Sequence, residues 1–222
     1  MWVENPLDLF RLATLVMSDP VPAEVDSIYL YGHTSDNEVS ILETGLALYK
    51  SGISGRLGIC GGGPYVPPNG PPDAKVAYSG CAVWADWLVE RGARREDIYT
   101  IPRPPFSHTG TEAYRLVNLA KTREWRAVCV VANPMHMLRA FANTVACVIR
   151  EYPELLVYTK PGTPFPWNKE VLSSQGNIFG SRLETGMENE WARLNKTWGN
   201  EYDVASAAEV LEYVRWREAQ TA

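Results

Sequence analysis

Short apolar runs alternate with longer segments of helical periodicity along most of the chain. A strand that is buried on both faces of a sheet is typically a continuous apolar run, whereas a helix repeats its apolar positions every three or four residues. Strands and helices in alternation predict an α/β fold, with a mostly parallel sheet and helices on both of its faces. The five predicted strands are Ser27–Tyr31, Arg56–Cys60, Ile98–Ile101, Ala127–Ala132 and Leu155–Thr159.

Residues that favour helix starts precede the segments of helical periodicity. Asn133 followed by Pro134, for example, is an N-cap residue followed by proline at the first helical position. Besides the helix that Asn133 begins, the first two predicted helices are Asn5–Met17 and Glu38–Lys50, the latter with Asp36 or Asn37 as its cap. The next is capped by Asp73, carries Val76, Trp84, Trp87 and Leu88, and ends at Gly92. The last is Tyr114–Thr122, which follows a capping box formed by Thr109 and Glu112.

We expect residues 1–160 to form the α/β domain and residues 161–222 to form a helical C-terminal extension that packs on it. Capping boxes at Ser181/Glu184 and Ser206/Glu209 predict one helix over Leu183–Trp198 and a second that ends near Arg217. The extension is expected either to cover part of the sheet or to pair with another subunit in a homo-oligomer. The first of these helices carries an apolar stripe at helical spacing, which consists of Leu183, Met187, Trp191, Leu194 and Trp198.

Composition narrows the functional classes. The formal net charge of -5 argues against a broad nucleic-acid-binding surface. No apolar run approaches the roughly 20 residues that span a bilayer, and the first residues lack a basic segment with a cleavage site. The four cysteines contain no CxxC pair and are expected to be core residues in a reducing compartment. We therefore expect a cytoplasmic protein with a small-molecule ligand and without a nucleic-acid or membrane partner.

The three histidines of the chain fall in the predicted strand-to-helix loops or directly after them. The right-handed crossover rule places all of these loops at one edge of the sheet, where open α/β sheets bind ligands. A shared site is therefore predicted, with candidate catalytic residues His33, His108 and His136. The candidate ligand-binding residues are Gly32, Thr34, Asn37, Gly61, Gly62, Gly63, Ser107, Thr109, Glu112, Asn133 and Arg139.

His136 and Arg139 are the most specific pair, because they lie one turn apart at the start of a predicted helix. Helix N-termini attract anions, and an arginine there suits phosphate or carboxylate. The alternative is a capping histidine and a solvated arginine. The apolar stripe that is predicted to face the core excludes both residues and consists of Leu138, Ala142, Val145 and Ile149.

Several catalytic motifs are missing from the sequence. The glycines Gly61–Gly63 form neither a dinucleotide fingerprint nor a P-loop, although they permit close approach of a ligand to the backbone. No G-x-S-x-G elbow is present, which argues against a hydrolase triad that uses Ser107 or Thr109. A metal site built from the three histidines with Asp36, Glu38 or Glu112 stays a less favoured alternative, since no H-E-x-x-H motif supports it.

Four segments together resemble the family of YdcF-like, SanA-like and ElyC-like proteins, grouped as domain of unknown function 218. The resemblance covers about residues 27–150, and its most specific part is the His-Met-x-Arg-Ala element. It implies a Rossmann-like three-layer sandwich with a site at the carboxyl ends of the strands. It also implies nucleotide-like ligands, with S-adenosylmethionine as a candidate cofactor. The segments are Tyr31-Gly32, Cys60-Gly61-Gly62, Ser107–Glu112 and Val130–Ala140.

These observations lead to one leading hypothesis and two alternatives. The leading hypothesis is a protein that binds a small anionic or nucleotide-like ligand and uses histidine as a general acid or base in group transfer or hydrolysis. The first alternative is a non-catalytic binding or regulatory module with the same pocket. The second is a metal-dependent hydrolase that uses the three histidines.

Overall fold

A computed structural model describes residues 2–65, 78–102, 108–172, 179–196 and 204–221, and within these ranges the chain forms a five-stranded sheet, a two-stranded hairpin and seven α-helices. All pairs in the larger sheet are parallel, in the order β3-β2-β1-β4-β5. Helices flank both faces, so the predicted Rossmann-like α/β sandwich is confirmed. The strands of this sheet are β1 (Ser27–Leu30), β2 (Leu57–Cys60), β3 (Ile98–Ile101), β4 (Ala127–Ala132) and β5 (Leu156–Pro161).

The helices fill the connections between strands and continue after the last strand of the main sheet. A small antiparallel hairpin, which the sequence analysis did not predict, consists of β6 (Glu170–Leu172) and β7 (Phe179–Ser181). A π-helical turn over Arg182–Gly186 leads from β7 into α6. The α-helices are α1 (Pro6–Ser18), α2 (Glu38–Lys50), α3 (Cys81–Glu90), α4 (Thr109–Thr122), α5 (Pro134–Glu151), α6 (Met187–Lys196) and α7 (Ala207–Thr221).

The alternation of side chains along the central strands divides the described core into two layers. Tyr29 of β1 and Tyr31, directly after this strand, pack with α1, α4, α5 and α7. Ile28 and Leu30 point to the other face and pack with α2 and α3. Both faces of β1 are therefore buried, which explains why its residues after Ser27 are all apolar or aromatic. No helix in the described ranges is long and apolar enough to cross a membrane.

Two predicted helix starts are wrong. α4 begins at Thr109 with His108 as its N-cap residue, so Thr109 and Glu112 do not form a capping box. The Glu112 carboxylate instead accepts hydrogen bonds from the Tyr29 hydroxyl (2.9 Å) and the Gly32 amide (3.1 Å). Partners elsewhere in the fold have thus replaced the local cap.

The other wrong start is that of α3, which begins at Cys81. Gly80 precedes it with a φ of 96°, a backbone conformation that favours glycine. The predicted cap Asp73 and Val76 lie outside the described residues. At α2, Asn37 is the N-cap residue but makes no side-chain cap bond, because its amide is used elsewhere.

The start of α5 agrees with the prediction, whereas its predicted inward stripe is confirmed at Ala142 and Val145, which are fully buried, but not at Ile149. Asn133 caps the helix, since its Oδ1 accepts from the Met135 amide at 3.2 Å. Ile149 of the predicted inward stripe is 47% exposed, whereas His136 and Arg139 are buried. α5 packs against the sheet and against α4, α6 and α7, so nearly every face of it is covered.

The apolar stripe of the first C-terminal helix lies mostly on the surface of this chain. Leu183, Met187 and Trp191 are 60%, 44% and 42% exposed, and only Leu194 of the described stripe is buried. Trp198 lies outside the described residues. The segment turns a polar face inward instead, because Glu190 makes a buried ion pair with α5. The second capping box is confirmed, with Ser206 and Glu209 bonded reciprocally ahead of α7.

β5 is an edge strand of the main sheet, and side chains cover its outer edge. The Tyr213 hydroxyl donates to the Leu155 carbonyl (2.8 Å) and accepts from the Val157 amide (2.7 Å). Arg217 donates to the Val157 carbonyl at 2.7 Å and pairs with Asp19. α7 and the residue after α1 thus occupy hydrogen-bonding positions that a sixth strand would use.

Candidate functional site

The structure brings His33 and His136 together at the centre of the sheet edge. β1 and β4 are neighbours, and from them the chain continues to opposite sides of the sheet, which is the crevice where open α/β sheets bind ligands. His33 follows β1, and His136 is the third residue of α5, which follows β4. The rings are 3% and 2% exposed, and their centroids are 5.4 Å apart.

A chain of hydrogen bonds orients the ring of His33. The Thr34 backbone amide donates to its Nδ1 at 2.9 Å. Asn37 holds Thr34 in turn, since its Nδ2 donates to Thr34 Oγ1 at 2.9 Å. The chain ends at Arg182, whose Nε donates to Asn37 Oδ1 at 2.8 Å. Arg182, which the sequence analysis missed, therefore links the segment after β7 to the loop after β1.

A shorter chain of contacts holds His136. Its Nε2 lies 3.0 Å from Thr109 Oγ1, and Arg139 Nη1 donates to the same hydroxyl oxygen at 2.6 Å. Thr109 is the first residue of α4, so the N-termini of α4 and α5 meet at this point. The edge of the His136 ring also contacts Tyr31, with centroids 6.0 Å apart.

Arg139 is bound by a carboxylate of the protein itself. Its Nε and Nη2 donate to the two carboxylate oxygens of Glu190 on α6, at 2.5 and 2.9 Å. Both side chains are almost fully buried. Arg139 is thus part of an internal ion pair. Glu190 was also missed, although Arg182, Gly186, Glu190 and Arg193 form a stripe at helical spacing that could have revealed it.

Three buried side-chain atoms in the described ranges lack a hydrogen-bond partner, and all three belong to this site. They are His33 Nε2, His136 Nδ1 and Ser35 Oγ. Leaving a buried polar group without a partner costs about 1–3 kcal/mol, and native proteins contain few such groups. All three lie in the loop after β1 or in the first turn of α5.

Burial and neighbouring cations set the charges of the site. Burial lowers the pKa of His33 to about 4. Burial, followed by the Arg139 charge, lowers the pKa of His136 well below its usual value. Both rings are therefore neutral at neutral pH. Burial alone would raise the pKa of Glu190, but the groups around it, Arg139 first, together outweigh burial and bring this pKa to about 2. Burial and Arg139 lower the pKa of Arg193 to about 10.

The third histidine differs from the other two. His108 is exposed at the N-cap of α4, and burial of part of its ring lowers its pKa. Its neighbour Ser107, also predicted for the site, lies outside the described residues. Asn133 serves as the α5 cap, and Glu112 is committed to Tyr29 and Gly32.

The glycines after β2 have local structural roles. The Gly61 amide donates to the Ile101 carbonyl of β3 at 2.7 Å, and a Cβ on Gly61 would lie 2.6 Å from that oxygen. Gly62 has a φ of 106°, and its carbonyl accepts from the Cys81 amide. A Cβ on Gly63 would meet nothing within 4 Å. Contact between strands and turn geometry therefore account for Gly61 and Gly62 without a ligand.

Among the described residues, no three His, Cys, Asp or Glu side chains are grouped so as to hold a metal ion.

Comparison of the sequence with models of known protein families and with curated proteins gives no match. The likeness to the YdcF-like family therefore stays a prediction from the motifs quoted above.

Proposed function

We propose that the protein binds a small anionic or nucleotide-like molecule between the carboxyl ends of β1 and β4, with S-adenosylmethionine as one candidate. The observation that carries this proposal is the pair of buried, unpartnered ring nitrogens, His33 Nε2 and His136 Nδ1. They lie on neighbouring rings at the crevice where ligands of open α/β sheets bind.

The electrostatics of the site support a negatively charged ligand. Glu190 balances Arg139, while Arg193 lies close enough to Arg139 for the two guanidinium groups to repel each other. An added anion would relieve that repulsion. The first turns of α4 and α5 meet at Thr109 and His136, and the positive end of each helix dipole favours an anion there.

Group transfer or hydrolysis on the bound molecule is a second candidate function. Thr109 Oγ1 and His136 Nε2 lie within hydrogen-bond distance at 3.0 Å, and Arg139 donates to the same oxygen. A hydroxyl next to a neutral imidazole is the usual arrangement of a nucleophile and its base. In the absence of turnover, the same contacts serve a binding or regulatory module.

Isothermal titration calorimetry and thermal shift with inorganic phosphate, AMP, ATP and S-adenosylmethionine test the proposal. We expect at least one of these to bind the wild type, and His33→Gln or His136→Gln to weaken that binding about tenfold or more, since each replaces an imidazole ring whose buried nitrogen has no partner in the protein by a flexible amide that is not held in the same place. The matched control is His108→Gln, which changes an exposed histidine and should bind within about twofold of wild type. Absence of binding across this panel, or equal binding by all three variants, would overturn the proposal.

A further inference from the structure

We propose that His33 and His136 act as two imidazole N–H donors for the oxygens of one oxyanion, a phosphate or a carboxylate, and that Arg182 and Arg139 are positioning residues that set the tautomers of the two rings. The inference rests on the proposed function and names the chemical group that the rings contact. The tautomer of each histidine ring follows from which of its two nitrogens already accepts a hydrogen bond from the protein.

The tautomer of His33 follows from one backbone contact. The Thr34 amide always carries its hydrogen and points it at His33 Nδ1 from 2.9 Å. Nδ1 must therefore present its lone pair, and in a neutral ring the hydrogen lies on Nε2. Nε2 is the buried atom without a partner among the described residues. His33 thus offers an unused N–H donor.

The tautomer of His136 follows from the hydroxyl of Thr109. A hydroxyl has one hydrogen to donate, and Thr109 Oγ1 already accepts from Arg139 Nη1 at 2.6 Å. The other contact of this oxygen is His136 Nε2 at 3.0 Å. If the hydroxyl donates there, Nε2 presents its lone pair and Nδ1 carries the hydrogen. The unpartnered atom of this ring, Nδ1, is then also an N–H donor.

Two neighbouring donors select the ligand by its hydrogen-bonding type. An ionised carboxylate or phosphate oxygen only accepts, so it satisfies both N–H groups, whereas a protonated amine would meet them hydrogen to hydrogen. A metal ion needs a ring lone pair. His33 Nε2 could supply one only if the ring hydrogen moved to Nδ1, directly against the Thr34 amide. The site is therefore built for an oxyanion and disfavours a zinc ion.

Each ring is held through an arginine that does not touch the ligand. Arg182 binds Asn37, which binds Thr34, and Thr34 donates to His33. Arg139 binds Thr109, which contacts His136. Arg182 donates two further bonds, to the carbonyls of Asp36 and Pro166, and so fixes the loop from two sides. The segment after β7 thereby controls the first loop of the sheet.

Long-range 1H–15N spectra of the imidazole rings test the inference on the intact protein. The chain has three histidines, so single His→Gln variants assign all of the signals. At neutral pH we expect His33 with its hydrogen on Nε2 and His136 with its hydrogen on Nδ1. Inorganic phosphate or acetate should shift both protonated nitrogens, and the more effective probe distinguishes a phosphate site from a carboxylate site. Zn²⁺ alone should not shift them.

Thr109→Val and Thr109→Ser form the matched pair of variants. Valine keeps the shape of threonine without the hydroxyl, so His136 should lose its single tautomer and bind the better probe about tenfold more weakly. Serine keeps the hydroxyl, so Thr109→Ser should show the single His136 tautomer and the probe affinity of the wild type. Arg182→Gln should likewise broaden the tautomer population of His33, a signature that simple loss of stability does not produce.

The outcomes separate the two proposals. If a ligand of the calorimetric panel binds but either ring has the opposite tautomer, or Zn²⁺ binds at His33, the oxyanion inference is wrong while ligand binding stands. If the tautomers are as expected but neither phosphate nor acetate perturbs them, the inference is also wrong. If no ligand binds at all, the proposed function fails with it.

Discussion

Arg139 of α5 and Glu190 of α6 form a buried, two-bonded ion pair, with nitrogen–oxygen distances of 2.5 and 2.9 Å. Two of the Arg139 nitrogens thus bind a carboxylate of the protein, whereas the sequence predicts that Arg139 binds the anion of a ligand. Its charge is balanced by a residue 51 positions away in the sequence. Arg139 contributes to the site through Thr109 and through its electric field on His136.

Glu190→Gln should lower the free energy of unfolding by about 3 kcal/mol, because it leaves the Arg139 charge buried without its counter-ion. Urea denaturation followed by circular dichroism measures the change. The double variant Arg139→Met/Glu190→Leu should recover part of the loss, since no charge then stays buried. Glu188→Gln, on an exposed position of the same helix, is the control and should change stability by less than about 0.5 kcal/mol. Equal effects of the two single variants would contradict the prediction.

Stability should fall as the pH decreases from about 6.5 towards 4. Burial lowers the pKa of His33 to about 4 in the folded protein, against about 6.5 in the unfolded chain. Between these values the unfolded state binds a proton that the folded state does not, so acid favours unfolding by at most about 1.4 kcal/mol per pH unit for each such group. Urea midpoints over this range measure the slope.

His33→Gln should flatten that slope, whatever its effect on stability at neutral pH. His108→Gln, on an exposed ring, should change the slope less. Glu190 acts in a separate range, since its pKa of about 2 means that its stabilisation is lost only below about pH 4.5. A slope that is the same in wild type and in His33→Gln would show that His33 is not held in its neutral form.

Gly61→Ala should destabilise the protein by about 1–3 kcal/mol, because the new Cβ would lie 2.6 Å from the Ile101 carbonyl oxygen and force β2 and β3 apart. Thermal unfolding measures the loss. Gly63→Ala is the control within the same glycine run, since its Cβ would enter open space and should leave the melting temperature unchanged or slightly raised. A larger loss for Gly63 than for Gly61 would contradict the roles assigned to these glycines.

Asp19→Asn should cost about 3 kcal/mol or more, because Asp19 balances the buried charge of Arg217 and also accepts from the Thr159 amide of β5. Asp8→Asn tests the same substitution in the exposed pair that Asp8 forms with Arg11, where a loss below about 1 kcal/mol is expected. Chemical denaturation of both variants gives the comparison. Similar losses would show that burial does not govern these pairs.

The strands were predictable from the sequence because short apolar runs between segments of helical periodicity leave little ambiguity. Those at Ile98–Ile101 and Ala127–Ala132 agree with the structure at both ends. The meeting of His33 and His136 also follows from the crossover rule, once both are placed behind parallel strands. These features depend on local pattern and general topology alone.

The errors arise where a distant partner competes with a local pattern. Thr109 and Glu112 have the spacing of a capping box, but Tyr29 and Gly32 offer Glu112 buried donors that the box cannot match. The C-terminal segment carries both an apolar and a polar stripe, and periodicity alone does not tell which one faces inward. The buried partner Arg139 decides in favour of the stripe that carries Glu190.

The side chains on the outer edge of β5 have a consequence for assembly. Tyr213 and Arg217 occupy the amide and carbonyl groups through which an edge strand would recruit another chain. An incoming β-strand would first have to break these bonds and expose the Asp19–Arg217 pair to solvent. The side chains of α7 therefore protect this edge of the sheet against aggregation by addition of a β-strand from another chain.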